Sequence, residues 1–281
     1  MTRIALVTNS NASLPPELIR RYNIHVTPMP IHFLDGNYEE GSDISMDEFY
    51  ARLGREEVIP TSSAPSVPRY QRLFDELLVQ YDQILSIHIG QQLSRSFENA
   101  QTAARSFGGD RIYTHDSRSV SMGTGFQALT AARLVEQGAG IEAVLAQLER
   151  QRDQTLALFA PPTLRYMRNS RRVGPFATLL ATLLNIKPVI QVRDGALTVR
   201  ERSRSWQAAL ECELDTLCEF LGGSGPTEVA VCHTNAQAAA EAFAEQIRER
   251  LPHVTTLISE AGTVLAVHCG PGAIGVMTYR T

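Results

Sequence analysis

The sequence predicts an α/β protein: an N-terminal, doubly wound, mainly parallel sheet domain over residues 1–155, and a C-terminal α+β domain over residues 156–281. Three observations lead there. Through the first half, short apolar runs alternate with amphipathic stretches at helical spacing, the pattern of parallel strands joined by crossover helices. Past about residue 155 strands follow one another directly, and Asp194-Gly195 between two of them suits a type I′ hairpin turn. The chain of 281 residues is also about twice the ~100–150 of a modal domain.

The elements follow in order. Residues 4–7 form a buried strand that ends in Thr8-Asn9-Ser10. Pro15-Pro16-Glu17 opens a helix, because proline has no N–H to lose in a first turn. Residues 24–29 give the second strand, followed by a loop to Ser45-Met46-Asp47-Glu48. That run is a capping box, and it starts a helix carrying Phe49, Tyr50 and Leu53. A helix over 67–80, a strand over 84–89, a helix over 94–107, a strand over 111–114 and a helix over 123–136 continue the alternation. The second half reads as a strand at 156–159 and short helices around 163–168 and 176–184. A hairpin of 188–192 with 196–200 and a long helix over 206–221 come next. A strand at 229–232, a helix over 236–251 and closing strands near 254–258, 264–268 and 273–278 complete it.

Composition excludes several classes. Lys and Arg total 26 against 30 Asp and Glu, a net charge of −4, which argues against a nucleic-acid-coating protein. Cys212, Cys218, Cys232 and Cys269 form no CxxC pair and no zinc-type spacing, so they read as buried small hydrophobes in a reducing compartment. The apolar run at 4–7 is too short for a signal peptide, and the most apolar window, 179–190, is broken by Asn185, Lys187 and Pro188. A cytoplasmic protein with no stable membrane insertion is expected. GxxxxGK[ST], GxSxG and HExxH are absent, so neither a metal nor a nucleotide cofactor is expected, and no self-activated nucleophile stands out.

Ligands of a doubly wound sheet lie beyond the carboxyl ends of its strands. Three of those ends here are rich in hydroxyls: Thr8-Asn9-Ser10, Gly90-Gln91-Gln92-Leu93-Ser94-Arg95-Ser96 with Ser94 at a helix N-cap, and His115-Asp116-Ser117-Arg118-Ser119. Each alone is explained by helix capping; together they favour one crevice that takes an anion, a carboxylate or a phosphate. Pro60-Thr61-Ser62-Ser63-Ala64-Pro65 is either a rigid turn or a loop presenting hydroxyls to that crevice. Ser170-Arg171-Arg172 and Arg200-Glu201-Arg202-Ser203-Arg204 are either solvated faces or an anion clamp. His268-Cys269-Gly270-Pro271-Gly272-Ala273-Ile274-Gly275 contains GxGxxG, but only six residues follow it, too few for a dinucleotide-binding helix. His268, placed at a strand end beside a Gly/Pro turn, is the better candidate there.

In order along the chain, these segments resemble the DegV family of bacterial fatty-acid-binding proteins. The resemblance runs through Thr8-Asn9-Ser10, Leu14-Pro15, Asp43-Ile44-Ser45 with Glu48-Phe49-Tyr50, and the Pro60-to-Pro65 loop. It continues through Leu93-Ser94-Arg95-Ser96-Phe97, Asp116-Ser117, Leu164-Arg165-Tyr166-Met167 up to Arg172, Asn185-Ile186-Lys187-Pro188, and His268-Cys269-Gly270-Pro271-Gly272-Ala273. The resemblance implies two α/β domains with a long-chain fatty acid between them. Thr61, Ser62 and Ser94 would lie at its carboxylate, with Arg172 and His268 at the head group. It also implies a separate ATP-binding fatty acid kinase subunit as partner, which converts the presented carboxylate to acyl phosphate. Asn9 stands where the family usually has Asp, Ser62 for a Thr, Arg95 for a Gly, and Ser170-Arg171 for Gly-Gly. A rival reading is an enzyme acting on a small anionic substrate, with His268 as general base and Arg172 as electrostatic stabiliser.

Overall fold

The computed structural model describes residues 2–280 other than 56–57, 168–185, 224 and 226. The first half contains β1 (Ile4–Asn9), α1 (Pro16–Arg21), β2 (Ile24–Thr27), β3 (Pro30–Phe33), β4 (Gly36–Glu39), α2 (Met46–Arg55) and β5 (Thr61–Ser62). It continues with α3 (Val67–Leu78), β6 (Gln83–His88), α4 (Ser96–Ala104), β7 (Ile112–Asp116), α5 (Met122–Glu136) and α6 (Ile141–Asp153). Then come β8 (Thr155–Ala160), β9 (Lys187–Arg193), β10 (Ala196–Ser203), α7 (Trp206–Leu221), β11 (Thr227–His233), α8 (Gln237–Arg250), β12 (Val254–Glu260), α9 (Thr263–Cys269) and β13 (Ile274–Tyr279).

Four strands in the order β2-β1-β6-β7 make an all-parallel sheet. Every residue of β1 is buried, as a central parallel strand covered on both faces requires. Alternate residues divide between two cores. Ala5 and Val7 meet Tyr70 and Phe74 of α3 and Ala100 and Ala103 of α4, whereas Ile4 and Leu6 meet Phe126 and Leu129 of α5 and Val144 of α6. The second sheet, ordered β10-β9-β8-β13-β11-β12, is mixed, with β11 and β12 its parallel pair. One of its faces supports α7 and α8 through Leu158, Val229 and Val276. The other turns Ala157, Ala230 and Met277 onto the same core that holds α5. Helix α5 is therefore shared by two sheets, and ten of its fifteen residues are buried, as a helix enclosed on both sides demands. A small antiparallel sheet, β4-β3-β5, covers a third core with α2 and α9, built on Ile31, Phe49 and Val267.

The doubly wound sheet and the later mixed sheet agree with the sequence reading. So does the hairpin, where Asp194 and Gly195 both take positive φ (52° and 81°), as a type I′ turn needs. Five local readings are corrected. The stretch expected to be a loop before Ser45 holds the β3–β4 hairpin, and Thr61-Ser62 is a strand added to β3. Residues 264–268, read as a strand, lie in α9, because a five-residue apolar run is short enough to suit either element. The stretch 141–153, given no element, is α6. Finally, Arg95 occupies the cap position of α4, although the Ser94 hydroxyl still accepts the Ser96 backbone N–H at 3.2 Å. Of the short helices expected around 163–168 and 176–184, residues 168 and 176–184 lie outside the described residues.

One core residue opposes the fold. Glu213 of α7 is fully buried, and neither carboxyl oxygen has a hydrogen-bond partner among the described residues. Burial raises its pKa well above the usual carboxylate range. The native state therefore keeps a proton that the unfolded chain releases above the ordinary carboxylate pKa. Stability from this group is complete below that value and declines as pH rises towards the native one, by up to about 1.4 kcal/mol per pH unit. In Glu213→Gln this slope should vanish, so its melting temperature should gain on the parent's between about pH 5 and 8. Parallel curves over that range would show that Glu213 is ionised in the native state.

Candidate functional site

The carboxyl ends of β1, β6 and β7 are neighbours in the parallel sheet, so the three hydroxyl-rich segments that follow them share one edge. Their loops are tied together. Ser121 Oγ donates to Ser13 Oγ at 3.0 Å, Gly90 N–H donates to the Ser119 carbonyl, and Ser117 N–H donates to the His88 carbonyl. Ser121, just before α5, holds φ 52° and ψ −141°, a conformation costly for any residue with a Cβ, at roughly 1–3 kcal/mol.

Beyond this edge lies an apolar cavity with about 880 Å³ of empty space, counting the part open to solvent. Ile89, Leu93 and Val120 line it from the parallel-sheet side, and Phe159, Ile274 and Met277 from the mixed sheet. Polar side chains on its wall include Asn11, Ser94, Ser121 and His268.

Helix α9 brings His268 to this wall, in its last turn rather than at a strand end as the sequence suggested. Its position is set from both ends. At the start, the Glu40 carboxylate accepts the Thr263 backbone N–H, and a Cβ on Gly262 would meet that carboxylate. Burial raises the Glu40 pKa while these hydrogen bonds act to lower it. At the end, Thr234 Oγ1 donates to the Gly270 carbonyl at 2.6 Å and accepts the Ala273 N–H at 2.9 Å. Gly270 has φ 75°, and a Cβ there would fall 2.2 Å from the Tyr166 ring, so glycine is required.

Of the sequence candidates, the structure joins Ser62 and His268: Ser62 Oγ lies 3.0 Å from His268 Nε2. Ser94 lines the same cavity as His268. Thr61 does not share it. In β5 successive side chains point to opposite faces; Ser62 stands opposite buried Ile31, and Thr61 opposite His32 with its side chain exposed. Arg172 lies outside the described residues, as do Ser170, Arg171 and Asn185. Among the described residues, no three His, Cys, Asp or Glu side chains are grouped to hold a metal ion, and no helix is long and apolar enough to cross a membrane.

Sequence reasoning missed Asn11, Ser121 and Glu40. Asn11 follows the polar run Thr8-Asn9-Ser10 by one residue and Ser121 follows Ser117-Arg118-Ser119 by two, so extending each run would have found both. Glu40 has no local signal, because its role depends on a helix more than two hundred residues away. Asn11 is the most exacting of the three. It is 1% exposed, and neither amide atom has a hydrogen-bond partner among the described residues. It offers an occupant of the cavity one acceptor and two donor hydrogens.

A family model described as the uncharacterised DegV protein family matches residues 3–281. A DegV domain-containing protein of Deinococcus radiodurans is 32% identical over 276 residues, covering 97% of each chain. A solved structure described as fatty acid binding of a DegV family protein from Thermus thermophilus superposes with a TM-score of 0.93 at 31% identity, covering 99% of this chain and all of that one. DegV of Bacillus subtilis, described as a fatty acid binding protein, gives a TM-score of 0.91 at 27% identity over the full length of both chains.

The stranded amide predicts a stability effect. Asn11→Leu exchanges two unpartnered polar atoms for an apolar side chain of similar size, and should stabilise the ligand-free protein by about 1–3 kcal/mol in denaturant unfolding. An unchanged or lower stability would show that water already satisfies the amide.

Proposed function

The chain belongs to the DegV family, and from that premise we propose that it is a cytoplasmic carrier of long-chain fatty acids. In this reading the acyl chain lies between residues 1–155 and residues 156–281, treated as two domains, and its carboxylate is presented to a separate ATP-binding kinase subunit that forms the acyl phosphate. The observation that carries the reading is the apolar cavity between the two sheets, with Ser94 and His268 on its wall. The relatives from Thermus thermophilus and Bacillus subtilis, described as fatty acid binding, support it.

Physical chemistry fits the assignment. Burying ~15 methylenes at ~0.8 kcal/mol each yields a gross gain on the order of 12 kcal/mol, from which ordering costs are subtracted. The carboxylate must then meet donors, because an unpaired buried charge is far more costly than a buried methylene. Ser94 is the donor we assign to it. The Ser62–His268 pair lies at the head group, and Arg172 completes the set carried over from the family pattern. No further cofactor is required. During transfer, negative charge builds on carboxylate and phosphoryl oxygens, where a positioned imidazole or guanidinium acts most strongly.

Native mass spectrometry of protein purified from cells is the direct test, with a co-purifying acyl chain as the expected result. Ser94→Ala should cost about 1–3 kcal/mol in long-chain fatty acid affinity by stranding a charged acceptor, and an unchanged affinity would remove Ser94 from the head group. His268→Ala should bind fatty acid within a few-fold of the parent but lower kinase-dependent acyl phosphate formation by roughly ten- to a thousand-fold. Parent rates in that variant would make His268 structural, and acyl phosphate made by the chain alone from ATP would overturn the carrier reading.

A further inference from the structure

Among the described residues, all but one of the nitrogen- or oxygen-bearing side chains on the cavity wall have a partner inside the protein. Ser94 Oγ lies 3.0 Å from Ser96 Oγ, and Ser121 Oγ donates to Ser13 Oγ. His233 Nε2 lies 2.7 Å from Gln237 Oε1, and His268 Nε2 lies 3.0 Å from Ser62 Oγ. Thr234 Oγ1 both donates and accepts, to the Gly270 carbonyl and from the Ala273 N–H. Asn11 is the exception, with neither Oδ1 nor Nδ2 bonded among the described residues.

The backbone holds this amide on the wall. Asn11 is 1% exposed and lies in a single turn of 3₁₀ helix over Ser10–Ala12. Ser13 N–H donates to the Ser10 carbonyl at 3.1 Å, Met29 N–H donates to Ser10 Oγ at 3.1 Å, and Ser259 Oγ donates to the Ser13 carbonyl. On the side of α5, a Cβ on Gly125 would lie 2.7 Å from the Ala12 carbonyl, so the turn has no room to retreat. Partners for the Asn11 side chain must therefore come from whatever fills the cavity.

The chemistry of those partners is narrow. The wall around Asn11 is otherwise a surface for hydrocarbon, with Leu93, Val120, Phe159 and Met277 among its residues. A plain alkyl chain lying there leaves the amide desolvated and unbonded. A ketone or carboxylate oxygen only accepts, so it can take an Nδ2 hydrogen but leaves Oδ1 stranded. A hydroxyl can donate to Oδ1 and accept from Nδ2, which matches the mixed character of the amide.

We propose that Asn11 is a specificity-determining residue that selects an acyl chain carrying a hydroxyl group along its length. The preferred occupant is then a hydroxy fatty acid rather than a plain saturated one. The inference rests on the reading of this cavity as the fatty acid site, with the carboxylate at Ser94 and the hydroxyl at Asn11.

The test uses stearate and a series of monohydroxystearates, with the hydroxyl moved stepwise from the head group towards the methyl end. Affinities are measured by displacement of a fluorescent fatty acid. One position should bind the parent more tightly than stearate does. Asn11→Leu should lower the ratio of that isomer's affinity to stearate's roughly tenfold. Asn11→Ala, which removes the amide without adding bulk, should shift the ratio the same way and decides the matter if Asn11→Leu does not fold. A ratio unchanged in both variants would show that the amide does not read the hydroxyl. Equal losses for stearate and every isomer would assign the amide to the carboxylate or to the fold. Either result overturns the inference, as does a parent that prefers stearate to every isomer. Failure of the carrier reading looks different: neither stearate nor any isomer displaces the probe from the parent, and this inference falls with it. Stearate bound without preference for any isomer, yet weakened by Ser94→Ala, would leave the carrier reading standing and remove only the role of Asn11.

Discussion

Helix α5 has to satisfy two sheets at once. Most helices need one apolar stripe, but this one lies between the parallel sheet and the mixed sheet and is buried around most of its circumference. Small residues make that possible: a Cβ on Gly125 would lie 2.7 Å from the Ala12 carbonyl, so the helix approaches the end of β1 as closely as backbone allows. Where α5 begins, the filling between the sheets stops. Val120 and Ser121, the residues just before it, line the cavity, so the binding space is what remains beyond the end of the shared helix. The strained backbone of Ser121 is the local cost of turning the chain sharply into that helix at this point.

The topology of the first sheet then decides what that space is lined with. Parallel strands deliver all their carboxyl ends to one edge, so the polar segments after β1, β6 and β7 gather there without any long-range instruction. The mixed sheet contributes mainly apolar side chains, since its face is shared with the core around α5. An apolar space with a polar edge follows from stacking one kind of sheet against the other. Helix α9 adds the remaining element. It is short, and so depends on outside support: Glu40 at its first turn, Thr234 at its last, and the small sheet with α2 beneath it.

Much of this could be read from the sequence, for identifiable reasons. The alternation of buried strands with helices, the Asp194-Gly195 turn and the clustering of hydroxyls at strand ends are local signals with local causes. The errors occurred where tertiary context decides. Val264-Leu265-Ala266-Val267-His268 has no period long enough to separate helix from strand, and the Glu40 carboxylate that accepts the Thr263 N–H at the helix start is distant in sequence. Residues Thr61 and Ser62 have hydroxyl side chains alike, but pairing with β3 sends one outward and the other to His268. Which of two adjacent residues faces a site depends on strand register, and a two-residue strand has too short a pattern to reveal it.

The buried polar groups of this chain fall into two kinds, and the difference is informative about function. Ser86, His88, Asn9 and Tyr70 satisfy one another: His88 Nε2 lies 2.8 Å from Ser86 Oγ and Nδ1 2.9 Å from Asn9 Oδ1, and Asn9 Nδ2 donates to the Tyr70 hydroxyl at 2.7 Å. Asn11 faces the cavity with its amide unpartnered among the described residues. That defect raises the energy of the empty cavity, and any occupant that hydrogen-bonds the amide would relieve it, because the amide is already desolvated before binding. Glu213 shows the contrast: equally unpartnered, it sits under the mixed sheet among the α7 leucines, where protonation is its means of relief. An unsatisfied group in a packed core only costs stability, whereas the same defect on a cavity wall becomes part of the attraction for whatever fills it.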